Sequence, residues 1–252
     1  MDIISPSKCS VIYPPPEISI VIPVHNEEGN IEPLVREIVS ACRGLIRFEL
    51  IVVDDHSSDA TGATLLRLKT TTELRVLQQN RQSGQSRSIY HGVQAARAAW
   101  IITLDGDGQN DPADIALLLA ARNQADATVK LFCGWRVERQ DRQARRWASR
   151  WANTIRNRLL NDRTPDTGCG LKLFERTAFL QLPYFDHMHR YLPALIQRDG
   201  WQTQSVAVNH RQRNTGVSKY TNWQRALVGV RDLCGVAWLL ARRRPCQVKE
   251  VE

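Results

Sequence analysis

The sequence predicts an α/β protein built on a mostly parallel sheet with helices on both faces. Apolar segments of strand length alternate with helical segments between Ile18 and Cys133, and the connections between them are short. Strands and helices that alternate in this way form βαβ units, whose crossovers cover both faces of a parallel sheet. The first strand segment, ISIVIPV, is apolar almost throughout, as expected for a strand that is buried on both faces.

The elements of the first half follow in order along the chain. Runs rich in Ile, Val and Leu that are bounded by polar segments predict strands, and longer amphipathic segments predict helices. Ser58 or Asp59 is expected to cap the second helix. The predicted strands are Ile18–Val24, Phe48–Val53, Leu74–Leu77, Trp100–Leu104 and Thr128–Cys133, and the predicted helices are Glu28–Cys42, Asp59–Lys69, Ser83–Ala98 and Ala113–Asn123.

The pattern changes after Gly134. Residues 136–163 contain nine arginines, and most of this segment is predicted to form one long basic helix, Arg139–Leu160. We expect the second half to complete the same sheet, so that residues 17–241 form one domain between a flexible lead (1–16) and a basic, then acidic tail (242–252). The other predicted elements are a Gly-rich loop at Thr164–Lys172, a helix at Met188–Asp199, a strand at Thr203–Val208 and a helix or helix pair at Tyr220–Arg242.

The composition is that of a globular protein. The chain has 252 residues, of which 42% are hydrophobic and 24% are charged. No stretch reaches the roughly 20 apolar residues of a membrane span, and the best candidate, Ala226–Ala241, is interrupted by Arg231 and Asp232. The N-terminus does not resemble a secretory signal. The six cysteines form no CxxC pair, which favours reduced thiols and a cytoplasmic location.

Charge is distributed unevenly between the two halves. Residues 1–129 carry 11 Lys and Arg against 16 Asp and Glu, a net charge of −5, whereas residues 130–252 carry 23 against 10, a net charge of +13. This asymmetry indicates an anionic partner for the second half. Nucleic acid, anionic lipid and a phosphorylated substrate all fit the charge alone.

The segment WIITLDGDGQND, residues 100–111, contains the clearest chemical signal. Asp105, Asp107 and Gln109 alternate directly after an apolar strand, so their oxygens are expected at the carboxyl edge of the sheet, where ligands bind in open α/β proteins. Two carboxylates and an amide suit Mg²⁺ or Mn²⁺, which neutralises a diphosphate. An Asp-Gly turn without a metal is the simpler alternative. An EF-hand loop is disfavoured because its twelfth position is Ala116.

Two other predicted strands end in polar residues. His25, Asn26 and Glu27 follow the first strand, and Asp54 and Asp55 follow the second. A carboxylate such as Asp55 can accept a hydrogen bond from a uracil or guanine ring. Ordinary βα turns explain each segment by itself, but acidic groups at three strand ends repel one another unless a cation lies between them.

Five motifs in order carry a resemblance to a known family: IPVHNE, VVDDHSSD, LDGDGQNDP, GWR and RNTGVSKY. The chain resembles family 2 glycosyltransferases over Ile18–Ala241, and most closely the dolichol-phosphate mannosyltransferase group. The resemblance implies a GT-A fold, with a Rossmann-like sheet, and an inverting glycosyltransferase that requires Mg²⁺ or Mn²⁺. Many members of that group also carry C-terminal membrane spans, which this sequence lacks.

The resemblance assigns site residues position by position. Asp105, Asp107 and Gln109 match the metal ligands, and Arg136 matches an arginine that contacts phosphates. His25 stands where a tyrosine is usual, and the family's glycine-rich stretch is altered at residues 80–86, which keep one glycine. The positions that match nucleotide-sugar contacts are Pro23, His25, Glu27, Val53, Asp55, Asp105, Gly106, Asp107, Arg213 and Lys219.

A polyprenyl phosphate is the expected acceptor. A phosphate monoester is largely dianionic at neutral pH, so it needs cations to bind it but no base. Arg136, Arg146, Ser149 and Arg150 are the predicted acceptor-phosphate residues. A stripe of Trp147, Trp151 and Ile155 lies beside the arginines on the predicted basic helix, which suits an anionic membrane surface, or equally a helix packed on the core with a solvated basic face.

Asp107, Arg136 and Asp166 are the predicted catalytic residues. Asp166 could orient the acceptor, act as a base or form a structural Asx-turn. His189 and His210 are candidate phosphate or sugar contacts or structural histidines, and Cys169 is expected to be a small buried residue.

The predicted function is transfer of a hexose from GDP-mannose or a UDP-hexose to dolichyl or undecaprenyl phosphate, by a protein held peripherally at the cytosolic membrane face. A sugar or lipid hydroxyl is an alternative acceptor and would require a base. A basic membrane- or nucleic-acid-binding module without catalysis is the alternative of another class, although we expect no nucleic-acid partner. The sequence leaves the donor, the metal ion and the oligomeric state open.

Overall fold

The computed structural model of the protein describes residues 14–137, 156, 159–162, 164–211 and 222–243. These residues form one seven-stranded sheet in the order β3-β2-β1-β4-β6-β5-β7. The strands are β1 Ile18–Val24, β2 Phe48–Asp54, β3 Leu74–Gln78, β4 Trp100–Thr103, β5 Val129–Arg136, β6 Lys172–Glu175 and β7 Gln202–Val208. The helices are α1 Ile31–Cys42, α2 Thr61–Thr71, α3 Gln85–Ala95, α4 Ile115–Gln124, α5 Arg176–Leu180, α6 Leu192–Arg198 and α7 Asn222–Ala241.

Two apolar cores enclose the sheet, one on each face. All seven residues of β1 are buried, and their side chains alternate between the cores, as a strand covered on both faces requires. One core is closed by α1, α2 and α4, and the other by α3, α5, α6 and part of α7. The predicted α/β architecture with helices on both faces is therefore confirmed.

The antiparallel strand β6 was not predicted. Its four residues lie between β4 and β5, with Ile102 opposite Leu173 and Thr103 opposite Lys172. The predicted Gly-rich loop is thus shorter than expected, because Lys172 already belongs to the strand. The β4–β6 pairing brings the segment that precedes β6 beside the end of β4, where Asp105 follows.

Several helix boundaries differ from the prediction for local reasons. The helix predicted from Glu28 begins at Ile31, because the Glu27 carbonyl first accepts hydrogen bonds from the amides of Asn30 and Ile31. The helix predicted at Met188–Asp199 is divided into a 3₁₀ turn, Met188–Arg190, and α6, which has Pro193 in its first turn.

The predicted cap of the second helix is partly right. The Asp59 carboxylate accepts a hydrogen bond from the Thr61 amide at 3.0 Å, although the cap position itself is Ala60. The Ser58 hydroxyl is used elsewhere, in a contact with Asn26.

Most of the predicted basic helix lies outside the described residues, as do residues 1–13 of the lead and 244–252 of the tail; Arg156, Leu159 and Leu160 are helical. Within the described ranges, no helix combines the length and the apolarity needed to cross a bilayer.

Candidate active site at the carboxyl edge of the sheet

Three neighbouring parallel strands deliver polar residues to one edge of the sheet. In the β1–β2 pairing Val24 lies opposite Asp54, and in the β1–β4 pairing Val21 lies opposite Thr103. The segments that begin at His25, Asp55 and Asp105 therefore leave the sheet side by side. The predicted arrangement of the three strand ends along one edge of the sheet is therefore present.

Asp55 anchors the altered glycine stretch. It is 4% exposed, and its two carboxylate oxygens accept hydrogen bonds from the amides of Ser83 and Gly84 at 2.7 and 2.9 Å. Gly84 has a φ of 86°, which a residue with a side chain adopts only with strain. The single glycine that the stretch retains is thus at the position where the backbone turns to meet Asp55.

His25 and Glu27 line the same part of the edge and are half-buried. The Nδ1 atom of His25 lies 2.8 Å from the carbonyl oxygen of Asp55, so Nδ1 carries the proton, since a carbonyl only accepts. The Glu27 carboxylate accepts a hydrogen bond from the Asn30 side-chain amide at 2.7 Å, and the Glu27 amide donates to the Thr61 hydroxyl.

Val53 lies one residue before the end of β2. Its side chain is completely buried in one of the two apolar cores, next to Gly92. The assignment of Val53 to base contact stays a prediction, and its side chain lies in the core rather than at the surface. Pro23 is also buried, and its carbonyl lies under Gly106, where an added Cβ atom would come within 3.0 Å of it.

Asp105 is the most perturbed carboxyl group of this edge. One carboxylate oxygen accepts a hydrogen bond of 2.7 Å from the Gln85 side chain, and the Asp105 amide donates to the Asn110 side chain at 3.1 Å. Burial, with a smaller contribution from the Asp107 charge, raises the pKa of Asp105 to about 6. Gly170 lies against the carboxylate, since an added Cβ atom would be only 2.3 Å from it.

Asp107 and Gln109 are the other two predicted metal ligands. Asp107 is half-buried, and one of its carboxylate oxygens accepts a hydrogen bond from the Gln109 amide at 3.1 Å, which closes a tight turn. Among the described residues, no group of three His, Cys, Asp or Glu side chains converges. This donor set of two carboxylates and an amide fits Mg²⁺ or Mn²⁺, because such ions take one or two carboxylates and complete their coordination with substrate phosphates and water.

Arg136 and Asp166 form a bidentate ion pair on the other side of Asp105. Arg136 Nε and Nη2 donate to the two Asp166 oxygens at 2.6 and 2.9 Å, and the two side chains are only 13% and 5% exposed. The Gly168 amide also donates to Asp166 at 3.1 Å, which is the predicted Asx-turn. Burial lowers the pKa of Arg136, but the hydrogen bonds and charge of Asp166 outweigh this effect and raise it. Asp166 therefore positions Arg136.

A cavity of about 470 Å³ opens between Asp105 and this ion pair. The sequence reasoning missed Lys172, which lies in its wall and is 4% exposed. A lysine at the start of a strand that was not predicted gave no signal in the sequence. The other lining residues are Gln85, Ile89, Thr103, Leu104, Asp105, Arg136, Asp166, Thr167, Gly168, Cys169, Gly170, His189, Arg190 and Leu192.

His189 belongs to the wall of this cavity, whereas His210 does not. His189 Nδ1 lies 2.7 Å from the Ser86 hydroxyl, and burial lowers its pKa well below the usual value, so the ring is neutral at pH 7. His210 forms an isolated bridge with Asn110. Cys169 is completely buried at the cavity wall, as predicted.

The strand β7 is tied to the edge just before the RNTGVSKY motif. Arg211 forms ion pairs with Glu37 and with Asp111, the latter at 2.7 Å. The remaining predicted site residues lie outside the described part of the chain; they are Arg146, Ser149, Arg150, Arg213 and Lys219.

Comparison with known proteins agrees with this geometry. A family model described as Glycosyl transferase family 2 matches residues 19–182. The chain belongs to glycosyl transferase family 2. The match covers the first six strands, including the strand ends, Arg136, Asp166 and Lys172.

Two curated proteins show which family 2 members the chain is similar to. It is 34% identical over 210 residues to dodecaprenyl-phosphate galacturonate synthase of Rhizobium johnstonii, covering 81% of this chain and 62% of that protein. It is also 34% identical over 212 residues to undecaprenyl-phosphate 4-deoxy-4-formamido-L-arabinose transferase of Pseudomonas fluorescens, covering 83% of this chain and 62% of that protein. The chain thus matches about three fifths of the length of these relatives.

Solved structures confirm the predicted GT-A fold of this family 2 chain. Glucosyl-3-phosphoglycerate synthase from Mycobacterium tuberculosis in complex with UDP matches with a TM-score of 0.69 at 16% identity, over 91% of this chain and 82% of that one. A complex of the same enzyme with Mn²⁺, UDP-glucose and glycerol 3-phosphate matches with a TM-score of 0.65 at 17% identity, over 90% and 80%.

Proposed function

We propose that this protein transfers a hexose from a nucleoside-diphosphate sugar to a polyprenyl phosphate, with inversion at the sugar carbon and with a divalent metal ion. One observation carries the proposal, which is the position of the carboxylate pair Asp105 and Asp107. On one side of the pair are strand ends that suit a nucleotide, and on the other is a cavity whose wall contains the cationic side chains of Arg136 and Lys172. The two curated relatives support it, because both are named as enzymes that act with polyprenyl phosphates.

The metal site is proposed at Asp105, Asp107 and Gln109. A divalent ion held there would offset the repulsion that contributes to the raised pKa of Asp105 and would neutralise the departing diphosphate. Structures of the M. tuberculosis synthase contain Mn²⁺ or Mg²⁺ together with UDP, which supports a divalent ion without choosing between the two.

The donor is proposed to bind on the β1–β2 side of this pair. His25, Glu27 and Asp55 form the wall there, and each has its backbone or side chain fixed by hydrogen bonds to neighbouring loops. A wall that is fixed before the nucleotide binds loses little entropy on binding. Arg213 and Lys219, which follow Arg211 in the chain, are proposed to close over the diphosphate.

The acceptor is proposed to enter the cavity on the β4–β6 side. Its phosphate oxygen forms a bond to the sugar C1 while the bond from C1 to the donor's diphosphate oxygen breaks. The dianionic phosphate has no proton to lose, so the reaction needs no general base. Arg136, which Asp166 holds in a fixed orientation, would stabilise the negative charge between donor and acceptor. Arg146, Ser149 and Arg150 are further proposed contacts.

Peripheral contact with the cytosolic membrane face is part of the proposal. On α7 the side chains of Val230 and Trp238 are 62% and 57% exposed, and the Arg242 guanidinium lies 5.2 Å from the centre of the Trp238 ring. Exposed apolar groups beside arginines suit the surface of an anionic bilayer.

The test is incubation of the protein with labelled sugar nucleotides, undecaprenyl or dolichyl phosphate and MnCl₂ or MgCl₂. A labelled glycolipid should form, and chelation of the metal should abolish it. Asp107→Ala should remove transfer while the protein stays folded, and Asp126→Ala, at an exposed acidic position, is the matched control. Absence of glycolipid with every common donor, or full activity of Asp107→Ala, would overturn the proposal.

A hydroxyl acceptor is the competing function, and it requires a base. Asp166 is poorly placed for this role because Arg136 occupies both of its oxygens. If Asp166 were the base, the acidic limb of the pH–rate profile would disappear in Asp166→Asn. A protein that binds DNA tightly in a salt-dependent way, but binds no sugar nucleotide, would favour the non-catalytic module instead.

A further inference from the structure

We infer that Lys172 is an acceptor-binding residue, the buried cation that receives the phosphate monoester of the acceptor. This inference rests on the proposed function and adds a residue to its acceptor site. Lys172 begins β6, the antiparallel strand that the sequence did not reveal, and its side chain lies in the wall of the cavity.

The first argument is the lack of a counter-charge. The only hydrogen bond that the described residues provide for the Lys172 ammonium is to the backbone carbonyl of Cys169, and they provide no carboxylate within ion-pair distance. Lys172 is nonetheless only 4% exposed. A buried ammonium without a paired anion is costly, so proteins rarely keep one without a ligand or partner.

The second argument comes from the neighbouring cation. Arg136 lies in the same cavity, but its Nε and Nη2 already donate to Asp166, whose carboxylate is a paired counter-charge. The cavity therefore contains one buried positive charge that is balanced locally and one, on Lys172, that is not. Arg190 is exposed at the rim and adds a further positive charge there.

The third argument is location. Lys172 lies opposite Thr103 in the β4–β6 register, and Thr103 is two residues before Asp105 in the chain. Burial is the main influence on the pKa values of Asp105 and His189, and the Lys172 charge acts on both as a smaller influence. Lys172 is thus close to the proposed metal and donor phosphates without forming an ion pair with Asp105. A phosphate bound to Lys172 would be near the sugar carbon, with Ile89 and Leu192 as an apolar wall beside it.

The alternative role of Lys172 is to balance the charge of Asp105. The two roles predict different kinetics, because a residue that balances Asp105 affects metal and donor binding, whereas an acceptor-binding residue affects the KM for the acceptor. Lys172→Met removes the charge at similar length, and Lys172→Arg retains it. Lys69→Met, at an exposed position on α2, is the matched control for the same chemical change.

The experiment measures the KM for polyprenyl phosphate, the KM for the donor and kcat for each variant. Lys172→Met should raise the acceptor KM at least about tenfold, as expected for loss of a hydrogen bond to a charged group. Its donor KM should change less than about twofold. Lys172→Arg should raise the acceptor KM only several-fold, clearly less than Lys172→Met does, and Lys69→Met should match the wild type. An unchanged acceptor KM, or an effect confined to the donor KM, overturns the inference.

A binding measurement separates this inference from the proposed function. The melting temperature of the protein is recorded with UDP and Mn²⁺, with and without a short-chain polyprenyl phosphate or glycerol 3-phosphate. The phosphate-dependent increase should be present in the wild type and absent in Lys172→Met, even if no transfer is detected. Response to the prenyl compound alone indicates a lipid phosphate, and response to both indicates recognition of the phosphate itself.

If Lys172→Met does not fold, the acceptor KM of Lys172→Arg tests the inference instead. The longer, planar head group of arginine changes the contact geometry, so the acceptor KM should shift several-fold while the donor KM stays constant. Lys172→Arg with wild-type values for both would overturn the inference.

Discussion

Replacement of Asp105 by asparagine should stabilise the metal-free protein and at the same time abolish its binding of metal and donor. The folded state raises the pKa of this carboxyl group from 3.8 to about 6, mainly through burial. Ionisation of Asp105 is therefore less favourable in the folded chain than in the unfolded one. Asparagine has nearly the same shape and fits the narrow space beside Gly170, but it carries no charge.

The magnitude follows from the linkage between protonation and folding. When folding raises the pKa of a carboxyl group, the free energy of unfolding is unaffected at pH values below the pKa of the unfolded state. It then decreases progressively as the pH rises from that pKa through the pKa of the folded state. A pKa that is raised by about two lowers the free energy of unfolding of the wild type by about 3 kcal/mol at pH 7.5, and by about half of that at pH 5. Asp105→Asn should recover most of this cost at pH 7.5, less whatever the altered hydrogen bond with Gln85 costs.

The assay is denaturant unfolding in EDTA at pH 7.5 and pH 5, followed by thermal melts with UDP and Mn²⁺ at pH 7.5. The variant should be more stable than the wild type in EDTA, by more at pH 7.5 than at pH 5, and should lose the increase in melting temperature that metal and nucleotide produce together. Asp126→Asn makes the same chemical change at an exposed position and should alter neither quantity. A variant that is less stable than the wild type at pH 7.5, or a stability difference that does not depend on pH, would refute the reasoning.

The other predictions concern the surroundings of this carboxylate. Gly170→Ala should destabilise the protein by about 1–3 kcal/mol and weaken its thermal response to UDP and Mn²⁺, because the added Cβ atom would be 2.3 Å from Asp105. Gly235→Ala, which meets no atom within 4 Å on α7, should instead be neutral or stabilising in the same melts. Arg136→Lys retains the charge but loses the bidentate contact with Asp166, so kcat should fall at least about tenfold with little change in the donor KM, and an unchanged kcat would contradict the positioning role. Removal of metal by EDTA should abolish transfer, and restoration by Mn²⁺ or Mg²⁺ in a titration should identify the preferred ion.

The strands of the first half could be predicted from the sequence alone. Hydrophobic periodicity predicted the first four strands to within one residue at each end, because buried parallel strands are continuous apolar runs that need little context. The polar residues that follow these strands were visible in the same way, because each apolar run ends abruptly where the strand leaves the sheet. The donor sugar, the acceptor and the metal ion remain proposals, since 34% identity over three fifths of a relative's length establishes the family and not the substrate.

The sequence by itself determined the alternation of strands and helices and the carboxylates at the strand ends, since both are local properties of the chain. Only the tertiary structure showed that Val53 points into a core, that Asp55 is occupied by backbone amides and that Asp166 holds Arg136. The tertiary structure also showed that an antiparallel strand beginning at Lys172 pairs with β4. These features depend on contacts between residues up to 75 positions apart, as in the pairing of Trp100 with Glu175. The 2.8 Å hydrogen bond from the Thr103 hydroxyl to the Gly170 carbonyl is another example, and no local pattern encodes such contacts.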